Sequence, residues 1–303
     1  SSLSMIDVAH AAGFASLRRF NDALKRGFGR TPSELRQRRP GDSASLSLRL
    51  PFHPPLDFEA LLEFLGRRAL PGLEEVEGGS WRRTLPEGTL EVRRADENHL
   101  EARMPVALAP RALQISARIQ RVFDLRADST AIVAHLSRDR ALKKFLRPGL
   151  RIPGAWDPFE MAVRAILGQQ ISVQRARAMA VDLVQRFGGF PTPAQLTEAD
   201  LRGMPGVRAK AISALARAVL DGRVRLDGAQ DLDAAVAALC ELPGIGDWTA
   251  QLIALRALGE PDAFPAADLG LLQAMQLSPR ALRERAESWR PWRGYAAAAI
   301  WLS

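Results

Sequence analysis

The residues best placed to do chemistry are Leu242-Pro243-Gly244-Ile245-Gly246, the nearby Trp248, and Asp268, 22 positions beyond Gly246. Apolar residues at helical spacing flank the pentapeptide: Leu232, Val236, Leu239 and Cys240 before it, and Ala250, Leu252, Ile253, Leu255 and Leu258 after it. Gly259 is placed to end the second helix. A hairpin that turns on Pro-Gly-x-Gly leaves the first N–H groups of the following helix unpaired. With the helix dipole behind them, those groups suit a phosphate. Asp268 precedes Leu269, Leu271 and Leu272, so it can cap a helix, and it can also be a catalytic carboxylate. On spacing alone the pentapeptide is equally an ordinary helix–helix turn. A phosphate anchor together with an acid points to chemistry on a nucleic acid.

Composition narrows the setting. A chain of 303 residues can bury a large core in two or more domains, and a net charge of +8 favours a polyanionic partner. The first 40 residues carry eight Lys/Arg and three Asp/Glu, so +5 of that charge lies there. The single cysteine, Cys240, excludes an internal disulfide, a cysteine-ligated zinc site and a four-cysteine iron–sulfur cluster, and it fits a reducing cytosol. No stretch reads as a membrane span or a signal peptide, so no membrane partner is expected. The chain opens in mid-motif and ends inside the apolar run Ala296–Leu302, as a piece of a longer protein would.

Three segments must position the candidate residues. Residues 1–39 read as two short helices joined at Ala12-Gly13-Phe14, with Ser16 as N-cap of a basic second helix; 40–45 are a Pro/Gly/Ser linker. Residues 46–109 read as an antiparallel α+β domain: a strand at Leu46–Leu50, a helix at Phe58–Leu70, and strands at Trp81–Leu85, Thr89–Arg93 and Leu100–Met104. Residues 110–303 read as helical, with runs that include 129–145, 207–221, 231–241 and 247–258. The string Met204-Pro205-Gly206-Val207-Arg208 echoes the pentapeptide, with Arg208 where the last glycine would stand. Arginine admits a left-handed backbone poorly, so the first copy is expected to be structural and the second functional. The expected fold class is α+β, mostly helical.

Two resemblances sharpen this. Asp7-Val8-Ala9, Ala12-Gly13-Phe14, Phe20-Asn21, Phe28-Gly29 and Pro32 resemble the second helix-turn-helix of AraC-type regulators, of which one unit is present. From 46 to 302 the chain resembles the helix-hairpin-helix glycosylases, in particular the AlkA-type (type II) 3-methyladenine DNA glycosylases. The matching strings are Leu150-Arg151-Ile152-Pro153-Gly154, Phe159-Glu160, Val163 to Gln169, Pro243 to Gly246, Trp248-Thr249-Ala250, Asp268, and Trp289 through Ala296.

The resemblance implies a glycosylase fold with its cleft in the helical domain, and it implies a role for each site residue. Asp268 is the catalytic carboxylate. Trp248 and Trp301 stack on the base, with Leu252 where the family has a tyrosine. Gly244, Ile245, Gly246 and Thr249 hold DNA, and Gln170 fills the gap left by the flipped base. The carbonyls of Cys240, Leu242 and Ile245 bind a monovalent cation (Na or K); no cofactor is required. Lyase-type relatives place a Schiff-base lysine where this chain has Trp248, so hydrolysis to an abasic site is expected, with no strand cleavage. The implied partner is double-stranded DNA with alkylated bases, met by a monomer in a bacterial cytoplasm at the nucleoid. The competing readings are a non-catalytic DNA-binding or regulatory fragment, and a glycosylase for other damaged bases.

Overall fold

The computed structural model describes residues 16–28, 31, 45–199, 201 and 204–303. The first helix and glycine turn of the expected helix-turn-helix, with Gly29, Pro32 and linker residues 40–44, lie outside that set. The basic second helix is α1 (Leu17–Phe28), and Ser16 Oγ accepts the Arg19 N–H at 3.3 Å, as an N-cap should. Phe20 on α1 is buried, and α1 lies against β1 (Ser45–Pro51).

The α+β layer is a five-stranded antiparallel sheet in the order β1-β5-β4-β3-β2, with β2 Glu74–Glu77, β3 Ser80–Leu85, β4 Gly88–Arg94 and β5 His99–Pro105. Alternation decides its faces: Leu48, Leu50, Leu90, Val92, Leu100, Ala102 and Met104 all point into one core. Helices α2 (Phe58–Gly66) and α3 (Ala112–Val122) pack on that face, so the sheet's core continues past residue 109 through Ile115, Ile119 and Phe123.

The helical layer follows: α4 Ser129–Leu136, α5 Pro158–Leu167, α6 Val173–Phe187, α7 Pro193–Glu198, α8 Gly206–Leu220, α9 Leu232–Cys240 and α10 Asp247–Ile253, then α11 Leu269–Met275, α12 Pro279–Ala286 and α13 Arg293–Trp301. Eight of the ten residues of α5 are buried, and around it lies a second core with α8 and α10. The expected helix over 129–145 stops at Leu136. Ser137 Oγ donates to Val133 O at 2.6 Å, and the Asp139 carboxylate takes the Ala141 N–H at 2.9 Å. Such local side-chain bonds offer the backbone an alternative to helix.

A buried ion network joins sheet and helices. Arg83 on β3 reaches Glu160 on α5 at 2.6 Å, and Arg83 and Arg164 share Glu74 at 2.8 and 3.3 Å. Behind it, Arg256 donates to Pro153 O at 2.9 Å and to Gly154 O at 3.4 Å. Burial drives the pKa of Arg256 well down, assisted by the neighbouring Arg68 and Arg164.

Candidate active site

Each end of the hairpin loop carries an apolar side chain: Leu242 and Ile245 are buried, while Pro243, Gly244 and Gly246 face solvent. Only one glycine is there for its backbone. Gly244 has φ +78°, and a Cβ on it would lie 3.1 Å from Ala211 Cβ on α8. Gly246 sits at φ −95°, ψ 175°, extended backbone open to any residue, with open space where a side chain would stand. This corrects the reading of the sequence echo, since a left-handed last position does not separate the copies. The difference lies at the first glycine, because Gly206 opens α8 directly after Pro205. Val207 and Ala211 of that helix then form the bed on which Gly244 rests.

No side chain caps α10, so the N–H groups of Asp247, Trp248 and Thr249 are left facing outward. The helix runs on through a π-helical turn, Ala254–Leu258, and Gly259 ends it at φ +80°. Thr249 is buried, and its hydroxyl accepts from Gln169 Nε2 at 3.0 Å, so its backbone amide is what it can offer a phosphate. The same Gln169 amide donates to Gly244 O at 2.7 Å, and Arg208 donates to the Gln169 carbonyl. The loop after α5 is thereby tied to the hairpin, to the start of α10 and to the start of α8. Gln170 projects from that loop, exposed, with φ +55°.

Asp268 stands opposite, half-buried, as N-cap of α11. Its Oδ1 accepts the Leu271 N–H at 3.2 Å and Trp301 Nε1–H at 3.2 Å, and its Oδ2 accepts Trp248 Nε1–H at 3.3 Å. Both indoles, from α10 and from the end of α13, therefore converge on one carboxylate. Leu252 lies one turn beyond Trp248 on α10, half-buried against the second core.

Sequence reasoning missed two neighbours. Phe64 on α2 stacks against Trp301 (centroids 6.4 Å, planes 28° apart), and the Arg68 guanidinium lies 3.6 Å from the Phe64 ring centroid. Burial lowers the Arg68 pKa to about 10, with Arg67 and Arg164 adding to the fall and Asp268 opposing it. No motif marks Phe64 or Arg68. The available signal was an aromatic and a cation four apart on one helix face, which also describes many surface helices.

Cys240, Leu242 and Ile245 fall within one turn of chain. The Leu242 carbonyl takes the Ile245 N–H at 3.1 Å and keeps a second lone pair. Burial, then the Asp247 charge, raises the Cys240 thiol pKa. Among the described residues, no group of three or more His, Cys, Asp or Glu side chains could hold a metal.

Comparison with known proteins identifies the fold and the family. A family model for the AlkA N-terminal domain matches residues 47–157, and one for HhH-GPD superfamily base excision DNA repair proteins matches 163–282. A third, for bacterial regulatory helix-turn-helix proteins of the AraC family, matches 1–37. The solved 3-methyladenine DNA-glycosylase of Archaeoglobus fulgidus is 24% identical and superposes with a TM-score of 0.68 over 84% of this chain and 97% of its own. An 8-oxoguanine glycosylase/lyase of Clostridium acetobutylicum, solved with DNA, is 20% identical with a TM-score of 0.67 over 86% of this chain and 95% of its own. The fold is therefore that of the helix-hairpin-helix DNA glycosylases.

Among curated proteins, a probable bifunctional transcriptional activator/DNA repair enzyme AlkA of Mycobacterium tuberculosis is 38% identical, over 100% of this chain and 67% of its own length. DNA-3-methyladenine glycosylase 2 of Escherichia coli is 35% identical over 84% of this chain and 96% of its own. The chain belongs to the AlkA family of DNA-3-methyladenine glycosylases.

Proposed function

We propose that Asp268 drives hydrolysis of the N-glycosidic bond of alkylated bases, of the 3-methyladenine and 7-methylguanine type, in duplex DNA. The observation that carries this is the convergence of Trp248 and Trp301 on the Asp268 carboxylate. Bond breaking gives the sugar oxocarbenium character, and a carboxylate held by three N–H donors stabilises that charge or orients water. An alkylated purine is already cationic and leaves with little protonation, so indole faces can select it, each contact contributing about 0.5–2 kcal/mol. The hairpin amides from Gly244 to Thr249 anchor one phosphate, and Gln170 enters the stack vacated by the flipped base. Na or K at the carbonyls of Cys240, Leu242 and Ile245 would brace the turn; no step passes through it.

The reaction stops at the abasic site. A lyase needs an amine nucleophile, and the chain has four lysines: Lys25 on α1, Lys143 and Lys144 past α4, and Lys210 exposed on α8. One chain supplies every site residue, which supports action as a monomer. Among the described residues no helix is long and apolar enough to cross a membrane. DNA as substrate supports action at the nucleoid, in the cytoplasm. Incubation with methylated duplex tests the reading. Release of free 3-methyladenine and 7-methylguanine from strands that stay intact until heated with alkali is expected. Intact bases, or nicks without alkali, would contradict it.

A further inference from the structure

The turns that replace the end of the expected helix 129–145 carry five cations within ten residues, Arg138, Arg140, Lys143, Lys144 and Arg147, against one acid, Asp139. All five are exposed. Among the described residues, none of them forms an ion pair, whereas Arg49, Arg82, Arg93 and Arg103 on the sheet all pair with carboxylates. The lone acid is turned inward. Asp139 accepts from Arg285 Nε at 2.7 Å, Trp289 Nε1 at 2.9 Å and Ala141 N at 2.9 Å. The Arg285 bond is the largest cause holding its pKa down to about 2. It is therefore anionic at neutral pH, yet its charge is spent on Arg285. Leu136 and Leu142 are buried beneath the segment, so the cations stand on a fixed platform.

Helix α12 connects this platform to the hairpin. Arg285 holds Asp139, and two residues earlier Arg283 pairs with Asp247 at 3.1 Å, at the start of α10. The separation is about one helix diameter, roughly 10–12 Å. None of the exposed large apolar side chains (Val106, Leu113, Val173, Val207, Leu220, Leu269) lies in the segment, so the surface fits a polyanion rather than an amphipathic protein face.

We propose that residues 138–147 form a second DNA-contacting surface, which neutralises backbone phosphates flanking the site of base excision on the same duplex. The identity of that duplex rests on the glycosylase reading; the contact itself rests on the unpaired charges. Such contacts hold and orient the enzyme without reading sequence.

The test uses the full chain and the triple variant Lys143→Gln, Lys144→Gln, Arg147→Gln, with thermal midpoints compared to verify folding. Affinity for an undamaged duplex of about 30 base pairs is measured by anisotropy between 50 and 200 mM NaCl. Loss of three phosphate contacts should make the slope of log affinity against log salt shallower by about 2.7, so wild type loses about 40-fold more affinity across that range. Equal slopes would overturn the proposal. Base release at saturating enzyme is measured in parallel and should match between the two proteins. If neither releases base, the glycosylase reading fails, while the slopes still report on the platform.

Discussion

Asp124→Asn should leave the protein more stable at pH 8 and little changed at pH 4. Asp124 follows α3 with φ +49°, and its Oδ2 accepts from Tyr295 Oη on α13 at 2.7 Å and from Ile152 N at 3.2 Å. It thereby fastens the end of the sheet domain to the helix that carries Trp301. Burial raises its pKa to about 6, a rise that the bonds from Tyr295 and Ile152 and the charge of Arg151 only partly oppose. The folded carboxyl thus holds its proton above the unfolded pKa of about 3.9. Its favourable contribution is complete below about pH 4 and is lost as pH rises through 6. Two pKa units correspond to about 3 kcal/mol of penalty at pH 8.

Asparagine keeps the acceptor oxygen, carries no charge to desolvate, and tolerates the left-handed backbone. Its added N–H₂ faces a cavity of about 300 Å³ lined by Gln120, Arg121 and Arg126, where water can bond it. The expected net gain is about 1–3 kcal/mol at pH 8. Thermal melts of both proteins at pH 4, 6 and 8 measure it. Equal destabilisation of the variant at all three values would refute the argument, since the hydrogen bonds would then outweigh the buried charge.

Three further substitutions probe the architecture. Gly244→Ala puts a Cβ on a φ of +78° and 3.1 Å from Ala211 Cβ, so it should cost about 1–2 kcal/mol and weaken binding of undamaged duplex several-fold; unchanged anisotropy titrations would remove the hairpin turn from DNA binding. Gln169→Ala cuts the tethers to Gly244 and Thr249, and the loop bearing Gln170 should loosen. Single-turnover rates on a mismatched lesion, already partly unstacked, should then fall less than on a paired one. Glu160→Gln leaves Arg83 buried without its main partner and should lower stability by about 3–5 kcal/mol; a loss under about 1 kcal/mol would mean the network is not what joins sheet and helices.

What was legible in the sequence was whatever the chain states locally. The apolar periods around Leu242–Gly246, the stop at Gly259 and the cap before Leu269 are short-range signals, and each is found where its pattern placed it. β2 was not foreseen because Glu74–Glu77 is mostly acidic and neither face of it is fully buried. The apolar pattern alone overextends the helix 129–145: the Ser137 and Asp139 side-chain bonds that stop it leave no mark on apolar spacing, and the pairing of Asp139 with Arg285, 146 residues away, lies in no window along the chain. Phe64 and Arg68 escaped for the same reason. Nothing near residue 64 announces a partner at Trp301, which only the packing of α2 on α13 supplies.

The central claim is that Asp268 does the chemistry while also capping α11. Single-turnover release of 3-methyladenine from methylated duplex, compared between wild type and Asp268→Asn, addresses it directly, because asparagine can still cap α11 through its side-chain oxygen. The account predicts an unchanged melting profile, unchanged binding of undamaged duplex, and a rate lower by at least about 100-fold. Equal rates of release by the two proteins would contradict it.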